Sequence, residues 1–168
     1  MLRNQCPQGT NRQRVCNINP AIERKDMDCT VTWVGSDAAS GGLSNMSFLA
    51  QTGSGHSIMM DGAPNADQPQ IGGANLAARP MELLLAGAGG CTSFDVVLML
   101  KRGRHAVQGC SVKITAERAD TPPQVFTNIN MHFTVTGKNL PGAAVERAIQ
   151  MSHEKYCSAT IMLGKTAH

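Results

Sequence analysis

Aromatic side chains are scarce in this chain, only 4% of its 168 residues. A core with so few rings has to be aliphatic and methionine-rich, and the ten Met and seventeen Gly fit that picture. None of the six cysteines forms a Cys-x-x-Cys pair, so neither a thioredoxin motif nor a zinc ribbon is supported. No apolar run approaches the roughly 20 residues that span a bilayer, and no membrane partner is expected. Near the N-terminus Leu2 and Val15 lie among polar residues, so there is no apolar stretch of a secretory signal. Six cysteines without such a signal read as thiols in a reducing compartment, and the expected location is cytoplasmic. A basic face is missing as well. Residues 1–25 hold five Lys and Arg against Glu23 alone, whereas residues 26–168 hold ten against eleven Asp and Glu. That near-neutral balance argues against nucleic acid as a partner. The glycines at 35, 41, 42, 53, 55, 72 and 73 match neither a dinucleotide fingerprint nor a phosphate loop. Ser47, Ser93 and Ser152 lack the context of a nucleophile elbow.

The length suits one domain. Residues 1–26 have no hydrophobic periodicity and read as a disordered extension, with Met27 opening the patterned part, 27–168. Cys29 to Val34 is β-branched and partly alternating, a strand. A loop over Gly35 to Gly42 leads to two more strands, Leu43 to Thr52 and His56 to Met60, with Asp61-Gly62 as a turn. An irregular linker, Ala63 to Arg79, precedes Pro80, which suits the first position of a helix. From Met81 to Leu100 the helix is apolar on nearly every face and is expected to be buried on all sides, with Gly103 as its stop. Its interior glycines each cost about 1 kcal/mol relative to Ala, which calls for another backbone in close approach. Val112, Ile114 and Ala116, and then Ile129, Met131, Phe133 and Val135, alternate with polar residues on either side of Pro122-Pro123, an antiparallel hairpin. A second helix opens at Pro141, with Val145, Ala148, Ile149 and Ser152 on one stripe, frays near Tyr156 and continues from Ser158 to Leu163. The fold class is α+β.

Cysteine is where the chemistry points. Cys6 and Cys16 fall in the extension, and Cys29 and Cys110 read as small buried hydrophobes. Cys91 has small neighbours before it and Thr92, Ser93 and Asp95 after it, polar atoms on an apolar helix that need partners or mark a site. Cys157 lies at a helix junction. As the start of the second piece it would meet backbone N–H groups that favour a thiolate, and His153, four residues earlier, could add to that effect. A packing role for Cys91, and a structural Cys157 beside a surface His153, stay open on these grounds. A metal site of Cys91, His153 and Cys157 lacks a fourth ligand, and no metal is expected.

The string Arg79-Pro80-Met81-Glu82-Leu83-Leu84-Leu85, with Gly87-Ala88-Gly89-Gly90-Cys91 after it, resembles the first-cysteine helix of the OsmC/Ohr family, the osmotically inducible and organic hydroperoxide resistance proteins. His153 to Ser158 resembles its second-cysteine segment. Val31-Thr32-Trp33, and Ser54-Gly55-His56 through Met60-Asp61-Gly62, are similar to its YhfA-like branch. The likeness spans roughly residues 27–166. It implies an OsmC-like fold, an intertwined homodimer with the two central helices packed together, and a peroxidase cycle needing no bound cofactor. In that cycle Cys91 attacks the peroxide, Cys157 resolves the sulfenic acid as a disulfide, and an external dithiol resets the pair. Peroxidases of the family place a carboxylate directly after the helix-opening proline and an arginine in an early loop. Here Met81 stands after the proline, Glu82 comes one residue later and so about 100° around the helix, and no arginine occurs between Lys25 and Arg79. Arg79, Glu82 and His153 are therefore the candidates for tuning Cys91 and Cys157. The expected function is a thiol-dependent hydroperoxide reductase. Its rivals are a non-catalytic module that binds a small apolar ligand between two subunits, and a purely structural dimer.

Overall fold

The computed structural model describes residues 27–35 and 44–168. The extension over 1–26, with Cys6 and Cys16, and the loop over 36–43 lie outside the described residues. The chain divides into two compact units, Met1–Leu76 and Ala77–His168, with the boundary inside the irregular linker read from the sequence.

In the first unit, β1 (Cys29–Trp33), β2 (Phe48–Thr52) and β3 (Ser57–Met60) form an antiparallel sheet in the order β1-β2-β3. Val31 and Ile58 flank Ala50, and Trp33 stands opposite Phe48. The first strand agrees with the sequence pattern, while β2 begins five residues later than Leu43. Cys29 is exposed, where the sequence suggested a small buried hydrophobe. The expected turn at Asp61-Gly62 carries a larger burden. The Asp61 carboxylate is 1% exposed and accepts N–H groups of Gly62, Ala74 and Leu76 at 2.8, 3.0 and 2.9 Å, together with the hydroxyls of Ser44 and Ser47. Burial alone would raise its pKa, but these donors outweigh that and hold it at about 2.

The second unit is built on α1 (Pro80–Arg102) and the hairpin of β4 (Ala106–Arg118) and β5 (Phe126–Lys138). The hairpin strands are longer than the alternating stretches first read, and the register pairs Val112 with Phe133, Ile114 with Met131 and Ala116 with Ile129. The half-buried side chains line one face, as period two requires. Helix α1 rests on that face through small residues: a Cβ added to Gly89 would meet Ile114 Cδ1 at 2.6 Å and Val112 Cγ1 at 3.2 Å. Val96 and Leu100 then pack with Ala148 of α2 (Gly142–Met151), and Cys110, Phe133, Val135 and Ile149 close around them.

Two sequence expectations do not hold. Helix α1 is not covered on all sides within one chain. Its buried residues are Ala88, Gly89, Thr92, Val96 and Leu100, while Leu84 is 50% and Phe94 68% exposed. By length and composition alone α1 is also apolar enough to cross a bilayer, because Gly, Ala, Thr and Ser dilute the charge of Asp95 without making the run polar. Gly103 caps the end of α1, as the sequence suggested, its N–H reaching the carbonyl oxygens of Met99 and Lys101. Gly103 has φ −71°, and Arg104 takes the positive φ of 61°, at a cost of about 1–2 kcal/mol for a residue with a Cβ.

Candidate functional site: two sulfurs under a short helix

After Met151 the backbone widens into one π-type turn, Ser152–Tyr156, and then leaves the helix altogether at Cys157, with φ −74° and ψ 100°. This is the junction the sequence suggested. The offset turns Cys157 into the N-cap of α3 (Ser158–Leu163), where its sulfur accepts the N–H of Thr160 at 3.5 Å. The N–H of the preceding residue, Ala159, acts on the Cys91 thiol in favour of its charged form. The first turn of α3 thus offers an otherwise unpaired amide to the Cys157 sulfur.

The sulfurs of Cys91 and Cys157 and a carboxylate oxygen of Asp95 all lie within 4.8 Å of one another. Both cysteines are free thiols, Cys91 half-buried and Cys157 fully buried. At most about 3 Å of closure separates this arrangement from the 2.05 Å bond of a disulfide. The Thr92 hydroxyl lies 3.3 Å from Cys157 Sγ and 3.1 Å from the carbonyl oxygen of Ala88. Its single proton serves one acceptor at a time. Ser152, on the apolar stripe of α2, is fully buried, and its hydroxyl donates to Asp95 Oδ2 at 2.9 Å.

These contacts separate the two thiols. Burial pushes Cys91 up, and the neighbouring Cys157 and the Asp95 carboxylate push it further, against the single N–H of Ala159. Burial acts on Cys157 in the same sense. Hydrogen bonds from Cys91, Thr160 and Thr92 overcome it and leave this thiol below its ordinary value. The balance of contacts favours charge on Cys157 over charge on Cys91.

The remaining candidates lie elsewhere in the chain. Arg79 is the N-cap residue of α1, and its N–H donates to Glu82 Oε2 at 2.9 Å, so Glu82 closes the start of the helix. At 1.5 Å per residue these two stand about 18 and 14 Å from Cys91 along the helix axis. His153 is exposed, and it lines a cavity of about 250 Å³ whose other walls include Ile129, Met131, Phe133, Ile149 and Leu163. Thr92 and Thr160 also face this cavity, so the two residues that hold the Cys157 sulfur border an apolar chamber. Asp95 was noted from the sequence as a polar residue beside Cys91 but given no role, and Ser152 was not singled out as a member of the site. The signal available was spacing, since Asp95 is one helical turn beyond Cys91.

Residues 72–167 match the family model described as OsmC-like protein. The chain is 42% identical over 142 residues to Protein YhfA of Escherichia coli strain K12, which covers 84% of this chain and 92% of that protein. A solved structure from Aquifex aeolicus VF5 superposes with a TM-score of 0.65 at 26% identity, covering 88% of this chain and 92% of its own. An organic hydroperoxide resistance protein from Legionella pneumophila shares the fold at 16% identity, with a TM-score of 0.58 over 87% of this chain and 94% of its own. The chain belongs to the OsmC-like family.

Proposed function

We propose that this protein is a thiol-dependent reductase of organic hydroperoxides, working as a homodimer in the reducing cytoplasm without a bound cofactor. The observation that carries the reading is the pair of free sulfurs within 4.8 Å, one of them N-capping α3 and held by Thr92 and Thr160. Cys91, the more accessible of the two, attacks the distal oxygen of ROOH while its proton passes to the Cys157 thiolate. The O–O bond breaks, Cys91 becomes the sulfenic acid, and the leaving alkoxide takes that proton back from Cys157 to give ROH, which restores the Cys157 thiolate. The Cys157 thiolate then attacks the sulfenic sulfur, hydroxide leaves and takes a proton from solvent to become water, and the two cysteines are joined. An external dithiol reduces that disulfide and is itself oxidised. The apolar cavity beside Thr92 and Thr160 favours peroxides with a hydrocarbon body.

The uncovered face of α1 supports the dimer. Leu84 and Phe94 are exposed, and a Cβ at Gly87 or Gly90 meets nothing within 4 Å, so the face has both side chains to bury and room to receive another helix. Arg79 and Glu82 would reach a reactive sulfur only across such an interface.

Mass spectrometry after one equivalent of an organic hydroperoxide tests the chemistry. Parent protein is expected to show a Cys91–Cys157 disulfide, and Cys157→Ser a dimedone-trappable sulfenic acid on Cys91. Cys91→Ser is expected to lose turnover. Equal turnover by Cys91→Ser and parent, with no disulfide in the parent, refutes the reading. The same cavity also favours a second reading, a module that holds a small apolar ligand without turnover, and an inert Cys91 in a protein that still binds such a ligand would select it.

A further inference from the structure

We propose that the reduced site binds a thiophilic divalent cation of the Zn²⁺ class, held by Cys91 Sγ, Cys157 Sγ and a carboxylate oxygen of Asp95. The inference goes beyond peroxide turnover and depends only on the dithiol geometry. Tetrahedral zinc with bonds of about 2.3 Å to sulfur and 2.0–2.2 Å to oxygen sets adjacent donors roughly 3.5–3.8 Å apart. The three donor atoms already lie within 4.8 Å of one another, so about 1 Å of side-chain rotation closes the set. Cys91 and Asp95 are one turn apart on α1 and share a face, and Cys157 comes from the N-cap of α3. Two thiolates and one carboxylate suit zinc better than magnesium or calcium, which prefer all-oxygen shells. Three protein ligands leave a fourth position for water or a small ligand.

Two further observations point the same way. Two of the donor residues are held by a hydrogen bond from outside the triad: the Thr160 N–H on Cys157 and the buried Ser152 hydroxyl on Asp95. Such outer contacts orient metal ligands and steady thiolate charge. The triad also gathers three acidic groups in one place, which repel one another when ionised, and a dication converts that repulsion into attraction. His153, the third ligand suggested by sequence, does not belong to this cluster, and Asp95 takes its place. A metal on both sulfurs and a disulfide between them exclude each other, so the loaded chain is closed to oxidation.

The test is anaerobic titration of the pre-reduced full-length chain with Zn²⁺ against a chromophoric chelator, with Co²⁺ as a reporter of thiolate ligation. One Zn²⁺ per chain is expected, with a thiolate-to-metal charge-transfer band in the Co²⁺ form. Asp95→Asn, with its fold checked by circular dichroism, is expected to bind about 10- to 100-fold more weakly, and Ser152→Ala about tenfold more weakly. Stoichiometric binding that survives Cys91→Ser combined with Cys157→Ser overturns the proposal, as does Asp95→Asn binding as tightly as the parent. No binding by the reduced parent overturns it outright. Because metal is read without peroxide, failure here leaves the redox reading standing, and failed turnover with intact metal binding strikes the redox reading alone.

Discussion

Replacing Gly87 and Gly90 together by alanine separates a free helix face from a covered one. Both glycines sit inside α1, where Ala is favoured over Gly by about 0.8–1.0 kcal/mol each. In the isolated chain the added methyl groups touch nothing within 4 Å, so the pair would gain nearly 2 kcal/mol. At 2–4 °C per kcal/mol for a chain of this size, that raises the melting temperature by about 4–8 °C. If a second copy of α1 lies there, the same methyls enter a helix contact whose axes are roughly 8–10 Å apart, and overpacking costs about 1–3 kcal/mol. The expected result is weaker association and no gain in melting temperature, read by sedimentation and by melting at several concentrations. Gly89→Ala is the internal control. Its methyl meets Ile114 and Val112 of the same chain, so it should lower stability without changing the assembly. A double variant with unchanged mass that melts 4–8 °C higher refutes the claim that this face is an interface.

Thr92→Val keeps the volume but removes the hydroxyl beside Cys157 Sγ. A hydrogen bond to a charged group contributes about 1.5–3 kcal/mol, so the thiol–thiolate balance at Cys157 should move toward thiol by about tenfold or more. Thiolate absorbance against pH, with Cys157→Ser as the blank, reads this, and Thr92→Ser should restore the parent curve. In the first unit, Asp61 is held at about 2 against an ordinary 3.8, a depressed carboxylate pKa. Its contribution is therefore complete above about pH 4 and is lost as the pH falls toward 2, and at 1.36 kcal/mol per unit it amounts to roughly 2 kcal/mol. Asp61→Asn should flatten that part of the stability profile measured by denaturant unfolding. An unchanged acid limb would show that the five donors do not favour the charged form.

The hairpin was legible because Val112 to Ala116 and Ile129 to Val135 alternate strictly, and period two has one structural solution. The beginning of α1 was legible from Pro80, whereas the settings of Cys91 and Cys157 left a packing role open and their pairing came from the family resemblance. What escaped the sequence depends on the third dimension. Phe94 and Leu84 look the same in a string whether a neighbour covers them or not. Arg104 rather than Gly103 takes the left-handed turn because the backbone keeps a negative φ through Gly103 and bends one residue later. Ser152 reads as a minor interruption of an apolar stripe until a wider turn carries Cys157 off the helix and Asp95 comes within its reach. Arg79 and Glu82 were drawn in by analogy with the family, and in one chain they frame the beginning of the helix instead.

In the proposed cycle the sulfur of Cys157 is a reagent, and in the fold it is a structural fastener. Through Thr160 it secures the opening of α3, and beyond α3 the backbone of His168 exchanges hydrogen bonds with Thr127 and Ile129 on β5. Any bond made to that atom draws electron density away from the clasp. Chemistry at the sulfur is thereby felt as slackening at the margin of the hairpin, where a protease or an exchanging amide would register it.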